Sequence, residues 1–479
     1  MSKQIQKIMA TSVLALFPLV SQALPIDWHG SFGVDTTLIN DFRRIKSKSA
    51  VAATDASQEV ALAAGNKTNA SWQSYILKLA PTMVINDAAT FFGELTTGYA
   101  NGGFLGDSAQ TNSGTSNAGA LYPQNQSSGQ GINLKKAYLE IYSDTATYVL
   151  GRHTYNWGLG AIYNDGKDAW DRHAYSRDGI TMKLKVGNFH LSPFWSKVSN
   201  QTATGPGFTD PSNSKEIGTG LLYDNPERDI AFGMLYGKKS TEANNVYYGA
   251  ASELTVTDLY FKKIFGKFDL TVEAPLMSGD LGKVADYASK MSYSAKAFVL
   301  QSNYKMSDAW TIGFDAGQVS GHDGDTGKFS ALYLNPNYQV ANLLFRYNLS
   351  AVSDGAQSIY DSYLTNARYF KLRSTYNSEK WTFDYAIITA TAMEVAEAGK
   401  NAYNHTKFKK ITNSNTTQSN SLGTEVDVNA RYQWNKEISI GSSLGYLITG
   451  DYFAYTNDAT KPNEAQSSYV LQLNAAVSF

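Results

Sequence analysis

Apolar and polar residues alternate with a period of two in short segments along almost the whole chain. In LGTEVDVNARYQW (422–434) the even-numbered residues from Leu422 to Trp434 share one apolar face, and Glu425, Asp427 and Arg431 lie on the other. Similar segments lie at 180–186, 230–236, 268–274 and 381–387. Successive side chains of a strand point to opposite sides of a sheet, so this alternation predicts an all-β chain.

Connection lengths indicate how these apolar faces are covered. A sandwich or propeller packs them against a second sheet, whereas a transmembrane barrel turns them to lipid and its polar faces to a water-filled lumen. Outer-membrane barrels alternate short periplasmic turns with longer external loops. Short turns are predicted at 86–89, 143–146, 187–188, 225–228, 265–267, 306–309, 377–380 and 435–437. Long polar stretches are predicted at 45–70, 100–131, 157–177, 200–215, 241–252, 278–290, 321–362, 393–420 and 453–466.

These connections predict a transmembrane, antiparallel, up-and-down β-barrel. Eight turns and nine loops give eighteen strands, with sixteen as the alternative if one pair of strands is misplaced. An even number places both termini on one side of the membrane, the periplasmic side in bacterial barrels. The expected architecture is therefore a barrel with inward-folded loops.

The chain ends on a strand-like alternation, SSYVLQLNAAVSF. Terminal residues usually fray, so a strand that runs to the last residue needs partners on both edges. We expect it to close the barrel against a first strand at about Asp27 to Asn40. Its apolar face resembles the terminal signal that the assembly machinery of outer-membrane proteins recognises. The residues of this face are Tyr469, Leu471, Leu473, Val477 and Phe479.

Residues 1–23 resemble a secretory signal peptide. Lys3 and Lys7 precede the largely apolar stretch IMATSVLALFPLV, and SQA supplies small residues for cleavage. The remaining 24–479 are expected to form one barrel domain, with 39 basic and 42 acidic residues. This balance does not favour nucleic acid as a partner. The chain has no cysteine, which excludes disulfides and thiolate metal sites.

The segment LYLNPNYQVANLLFRYNL (332–349) is apolar enough to be a further strand. Counting it would give nineteen strands and place the C-terminus outside. We therefore expect it to belong to a long external loop that folds into or over the pore. Leu343, Leu344 and Phe345 would then pack against the wall.

The stretch LGRHTYNWGLGAIYNDGKDAWDRHAYSRDGI (150–180) carries an unusual density of charged residues. A strand with GR, a WGLG turn and a loop with ND and DR resemble the eighteen-stranded, alginate-export-like porins of Gram-negative bacteria. The resemblance implies a loop that enters the lumen and forms a pore constriction. The candidate constriction residues are Arg152, Asp165, Asp168, Asp171, Arg172, His173, Arg177 and Asp178.

Paired acids and bases inside a narrow tube create a transverse field that favours polar solutes. The alternative is that Asp171, Arg172, Arg177 and Asp178 pair with one another and hold the loop against the wall without contacting any solute.

The predicted lumen faces carry nearly balanced charge. The lumen-wall candidates are Lys183, Lys185, Asp384, Lys371, Arg373, Glu425, Asp427 and Arg431. The same alternation places Asp35, Glu94, Glu140, Asp269, Glu273, Asp315, Lys136 and Arg152 inside. A polyanion conduit should instead show a basic excess, so alginate itself is a poor fit.

Signals for catalysis or metal binding are weak. None of the six histidines lies in a nucleophile motif, and GxSxG and HExxH are absent. GHDGDTG (321–327) lacks the full ligand spacing of a calcium loop. We expect no enzyme activity, no cofactor and no metal site.

Three functions remain open. The first is a porin for passive diffusion of small hydrophilic solutes or ions. The second is a substrate-specific channel for a sugar, organic acid or polysaccharide, and the third is a plugged barrel that acts as an adhesin or structural surface protein. The expected partners are outer-membrane lipid and lipopolysaccharide, the barrel assembly machinery and small hydrophilic solutes.

Overall fold

The computed structural model describes residues 25–46, 68–98, 103–104, 132–199, 214–240, 252–283, 287, 290–349, 359–460 and 463–479. The predicted signal peptide and much of the predicted loops 45–70, 100–131, 200–215 and 241–252 lie outside the described residues. Among the described residues, none forms a helix long and apolar enough to cross a membrane.

The described residues form 22 strands. The strands are β1 (Ile26–Asn40), β2 (Ala70–Asn86), β3 (Ala89–Thr97), β4 (Gly103–Phe104), β5 (Asn133–Tyr142), β6 (Ala146–Thr154), β7 (Ser176–Val186), β8 (Phe189–Ser199), β9 (Ser214–Asn225), β10 (Ile230–Ser240), β11 (Glu253–Phe265), β12 (Phe268–Lys283), β13 (Lys290–Lys305), β14 (Trp310–Val319), β15 (Lys328–Phe329), β16 (Ala367–Asn377), β17 (Trp381–Ala392), β18 (Ala402–Asn404), β19 (Lys409–Ile411), β20 (Ser421–Gln433), β21 (Ile438–Thr449) and β22 (Ser468–Ser478).

Eighteen of these strands form a closed antiparallel wall. The short strands β4 and β15 pair with β2 and β13 of this wall, and β18 and β19 form a separate two-stranded sheet. The last strand pairs with the first from Ser31↔Ser478 to Asn40↔Tyr469. The Phe479 N–H donates to the Gly30 carbonyl at 3.0 Å, and the Gly30 N–H donates back at 2.9 Å. The prediction of eighteen strands is confirmed, and hydrogen bonds on both edges hold the terminal strand.

The eight predicted short turns all connect neighbouring wall strands at one end of the barrel. The nine longer connections lie at the other end, since every wall strand is antiparallel to its neighbours. The first strand begins and the last strand ends at the turn end. We call the opposite end the loop end.

The outer face of the wall is apolar, as the alternation predicts. Val426, Val428, Tyr469 and Leu473 are exposed, and Leu471 and Val477 share their outward side. A closed wall with an apolar exterior is typical of a membrane-spanning barrel. Trp434 and Phe479 lie exposed at the turn end of this surface.

The lumen face is less uniformly polar than the alternation predicts. Met291, Val299, Val319 and Ile388 are fully buried inside the barrel, where they belong to one apolar cluster with the segment 332–349. The polar lumen predicted from the sequence is thus wrong along this side of the wall, because a folded-in apolar segment covers it.

Leu422 also belongs to this inner cluster, although the alternation placed it outside. The ladder between β17 and β20 shifts register between Ala390 and Thr391, and Gly423 adopts a φ of +111°. Such a bulge inserts one residue and exchanges the faces beyond it.

The segment 332–349 lies outside the wall and inside the barrel, as expected. Leu343 and Leu344 are fully buried, and the backbone N–H groups of both donate to Glu425 on β20 at 2.7 Å. Phe345 is partly buried against the same cluster.

Candidate functional site

Two loops fill part of the lumen. Loop A is residues 155–175, between β6 and β7, and loop B is residues 330–349 together with 359–364, between β15 and β16. Their contacts with the wall and with each other define the candidate site.

The WGLG motif of loop A forms a binding site for a carboxylate of the wall. The N–H groups of Leu159 and Ala161 donate to one carboxylate oxygen of Glu273 on β12, at 2.5 and 3.4 Å. Gly158 has a φ of +56°, and a Cβ at this position would lie only 2.5 Å from that oxygen. Successive N–H groups around a left-handed residue make an anion-binding concavity. The motif therefore fastens loop A to the wall.

Arg172 fastens the other end of loop A. Its guanidinium donates to the Tyr75 and Gly98 carbonyls at 2.9 and 2.8 Å, and to Ser74 at 2.9 Å. It also pairs with the buried Asp35 of β1 at 3.2 Å. A guanidinium with this many fixed acceptors is a structural anchor.

Loop B is held in the same manner by β20. Glu425 accepts the N–H groups of Leu343 and Leu344, and Asp427 accepts that of Asn342 at 3.1 Å. Lys371 of β16 donates to the Val340 carbonyl at 2.8 Å. Three of the predicted lumen-wall residues therefore position loop B.

The two loops are joined across the lumen. The Asn337 side-chain amide donates to the His173 carbonyl at 2.6 Å and to Asn164 at 3.1 Å. The Asn335 N–H donates to the Ala161 carbonyl at 2.7 Å, and the Arg172 guanidinium lies 4.1 Å from the Tyr360 ring centre. We call loops A and B together the crossbar, because they span the lumen from β1 and β2 to β12 and β20.

Arg177 is fully buried and does not line the lumen cavity, which corrects the prediction that it contributes to a constriction. Its side chain is enclosed by aromatic rings, with the guanidinium 3.4 Å from the Phe194 centroid and 3.9 Å from that of Tyr155. It lies 3.6 Å from the buried Glu216. Arg177 therefore acts in packing, since its side chain is fully buried.

Arg152 and Asp178 lie outside the lumen, which is a second correction. Their neighbours His153 and Arg177 point inward, so strand alternation turns Arg152 and Asp178 to the outer face. They form a two-bond ion pair at 2.6 Å, exposed on the same side as Tyr148 and Ile180. The prediction that the alternation places Arg152 inside is therefore wrong, since the buried His153 occupies the inward position of this strand.

The remaining constriction candidates lie inside the barrel on loop A. Lys78 and Lys135 donate to the Gly166 carbonyl at 3.1 and 2.5 Å, and Lys78 also donates to the Asp168 carbonyl. Asp165 is half-buried, and the Asp168 N–H donates to the carboxylate of Asp171 at 3.1 Å.

Two groups of loop A have shifted pKa values. Burial raises the pKa of Asp171 to about 6, against the lowering effect of its bond from the Asp168 N–H and of Lys78 nearby. Burial lowers the pKa of His173, whose ring also contacts the Tyr360 carbonyl at 3.1 Å. At pH 7 His173 is therefore neutral and Asp171 is mostly ionised.

A polar cavity of about 630 Å³ lies between the crossbar and the inner faces of β1, β17, β20, β21 and β22. Its charged lining residues are Asp35, Asp168, Asp171, Arg172, Arg346, Asp384 and Arg431, and much of the remaining lining is Ser, Asn and Gln. Asp35 and Arg172 neutralise each other. Arg346 and Arg431 have no carboxylate partner among the residues that the structure describes.

The other lumen-wall candidates are distributed along the barrel. Lys183 pairs with Glu140 at 2.7 Å, and Arg373 pairs with Asp315 at 2.9 Å. Lys185 lies exposed near the turn end of β7. Thr375 donates to Asp384 at 2.6 Å. None of these four joins the crossbar.

Several residues of the site were not predicted from the sequence. Arg346, Trp170, Asn337 and Tyr360 lie on loops whose path a strand pattern does not define. Lys78 carried a usable signal, because it shares the inward face of β2 with Ser74 and Ile76. In the described ranges no group of three or more His, Asp or Glu side chains is arranged to hold a metal ion.

The chain resembles solved structures of outer-membrane barrels. OpdL of Pseudomonas aeruginosa superposes with a TM-score of 0.50 at 10% identity, covering 95% of this chain and 99% of that chain. The chain shares the fold of OpdL. OccAB4 of Acinetobacter baumannii (TM-score 0.47, 11% identity, covering 96% and 100%) and an anion-selective porin from Comamonas acidovorans (0.43, 11%, 95% and 99%) are further similar structures.

The OpdL comparison confirms the predicted porin-type barrel at the level of the fold. No protein-family model and no curated protein matches the sequence. The alginate-export-like group stays a prediction.

Proposed function

We propose that the protein is an outer-membrane porin through which small hydrophilic solutes or ions diffuse passively. The supporting observation is a closed wall with an apolar exterior that encloses a polar cavity of about 630 Å³. A cavity lined by Ser, Asn and Gln beside a few charges suits hydrated solutes and slows apolar ones. Conduction, rather than catalysis, is the proposed activity.

The proposed orientation puts the turn end and both termini in the periplasm and the loop end outside the cell. Short turns face the periplasm in bacterial outer-membrane barrels. Outer-membrane lipid and lipopolysaccharide would then surround the apolar wall, and the barrel assembly machinery would insert it.

Planar-bilayer recording tests the proposal. Purified protein should produce stepwise ionic current, with the same unit conductance over many insertions. Bilayers that stay sealed although folded barrels have inserted, as shown by heat-dependent gel mobility, would overturn the diffusion-channel function.

A plugged barrel is the second candidate function, and the crossbar is the observation that favours it. Loops A and B are held by Glu273 and Glu425 and joined by Asn337. If the crossbar seals the lumen, wild type should not conduct. Glu273→Gln, which removes one of the two carboxyl oxygens on the side chain that loop A is bonded to, should then produce current. If wild type conducts, saturable block of that current by one sugar or acid would indicate a substrate-specific channel.

A further inference from the structure

A row of charged residues crosses neighbouring strands on the outer face near the loop end. The cross-strand register joins Arg152 to Asp178, Asp178 to Lys197, and Lys197 to Lys215. Lys238 and Glu253 lie close by on β10 and β11 and pair at 2.7 Å. We call these six residues the basic row.

Strand alternation places the row outside the barrel. Phe194 and Ser196 point inward on β8, and Glu216 points inward on β9, where it contacts Tyr175 of loop A. Lys197 is adjacent in sequence to Ser196, and Lys215 is adjacent to Glu216. Both lysines therefore point outward.

Two lysines of the row form no ion pair among the described residues. Arg152 holds Asp178 through two bonds at 2.6 Å, and Lys238 holds Glu253. Lys197 and Lys215 are directly opposite each other, and neither has an ion-pair partner among the described residues. Like charges directly opposite on neighbouring strands are destabilising, and an anion between them removes that cost.

The position of the row suits a lipid phosphate. Trp195 and Ile217, two residues before Lys197 and two after Lys215, are exposed on the same outer surface, as is Tyr236. Apolar and aromatic residues followed by basic residues match the order of acyl chains, interface and anionic headgroups in a membrane leaflet. On the opposite side of the barrel the exposed residues near the loop end include the apolar Ile448 of β21 and the aromatic Tyr469 of β22.

We propose that Lys197 and Lys215 bind a phosphate group of lipid A, the membrane anchor of lipopolysaccharide, in the outer leaflet. The Arg152–Asp178 and Lys238–Glu253 ion pairs lie on either side of these two lysines. This proposal rests on the membrane orientation given under the proposed function, since only that orientation puts the row in the leaflet that contains lipopolysaccharide.

Native mass spectrometry of the full chain in detergent micelles, titrated with bisphosphoryl lipid A, tests the site. Replacing both lysines (Lys197→Ser with Lys215→Ser) should weaken lipid A binding roughly 30-fold, as expected for the loss of two surface cations. The matched control, Lys263→Ser with Lys305→Ser, removes two lysines at the turn end and should leave the affinity unchanged.

Three further binding measurements identify the ligand. Lipid A without phosphates should bind the wild type as weakly as bisphosphoryl lipid A binds the double variant, and millimolar inorganic phosphate should not compete. An equal loss of phosphatidylglycerol binding would show a general anionic-lipid surface and overturn the lipid A assignment. Unchanged lipid A affinity in the double variant would overturn the site itself.

Bilayer recording of the same proteins separates this proposal from the proposed function. Both lysines lie outside the lumen, so the double variant should conduct like wild type. A wild type that conducts but does not bind lipid A rejects the lipid site alone. A wild type that binds lipid A but does not conduct rejects the channel function alone.

Discussion

At the residue scale, the buried charged side chains of the lumen mainly hold the two loops in place. Glu273 and Glu425 hold backbone N–H groups of the two loops, and Arg172 holds wall carbonyls and Asp35. Arg177 lies between aromatic rings beside Glu216. Removing one partner of a buried ion pair typically costs about 3–5 kcal/mol. Substitutions at Arg172 and Arg177 should therefore disturb the crossbar before they report on ion selectivity.

Asp171 is the loop A group expected to give the channel a pH dependence. Its pKa, raised to about 6 by burial, means that the carboxyl is neutral below pH 6 and negative above it. Raising the pH through 6 should shift the reversal potential under a salt gradient toward cation selectivity. Asp171→Asn should remove this shift.

His173 is the control for that titration, because it also lines the cavity and burial lowers its pKa. His173→Asn should retain the transition near pH 6. A transition that survives in Asp171→Asn, or disappears in His173→Asn, would contradict the assignment to Asp171.

At the element scale, each inserted loop depends on a wall strand far away in the sequence, whereas the closing strand depends only on its edges. β22 pairs with β21 on one side and with β1 on the other. Its outward residues Tyr469, Leu471, Leu473 and Val477 continue the apolar surface, and Phe479 completes the ladder at Gly30.

Deleting Phe479, or replacing it with Asp, should reduce insertion into the outer membrane. The change removes the proposed terminal recognition residue, and the deletion also removes the last two hydrogen bonds of the seam. A charge on the lipid face near the interface destabilises the folded barrel by only roughly 0–1 kcal/mol. Either change should therefore reduce assembly more than stability. Quantifying heat-modifiable protein in outer-membrane fractions measures it, with Trp434→Asp as the control for an exposed aromatic at the same end. Equal losses in both variants would argue against a special role of the terminus.

At the scale of the whole molecule, the closed hydrogen-bonded wall stabilises the fold. The charged residues that line the cavity are then expected to set the ion selectivity. Several lumen charges are neutralised by partners, including Asp35 with Arg172 and Asp315 with Arg373. Arg346 and Arg431 line the cavity without a carboxylate partner among the described residues. Fixed charges inside a pore act strongly on passing ions because the walls limit screening.

Replacing both arginines (Arg346→Ser with Arg431→Ser) should shift the reversal potential toward cations while heat-resistant gel mobility stays normal. Arg368→Ser is the matched control, because Arg368 lies on the outward face of β16 beside the exposed Phe370. An equal shift in both variants, or no shift in the double variant, would place the conduction path away from the cavity.

The wall could be predicted from the sequence because the two faces of a strand and the turn that ends it are local properties. The period of two and the eight short turns determined eighteen strands, the closing role of β22 and the exclusion of 332–349 from the wall. The prediction from the alternation was wrong at Leu422. A bulge in the pairing of β20 with β17, next to Gly423, turned this residue inward. The tertiary structure alone decided which lumen charges are neutralised. Arg172 meets Asp35 across 137 residues of sequence, and an alternation pattern contains no information about which loop side chain will reach which strand.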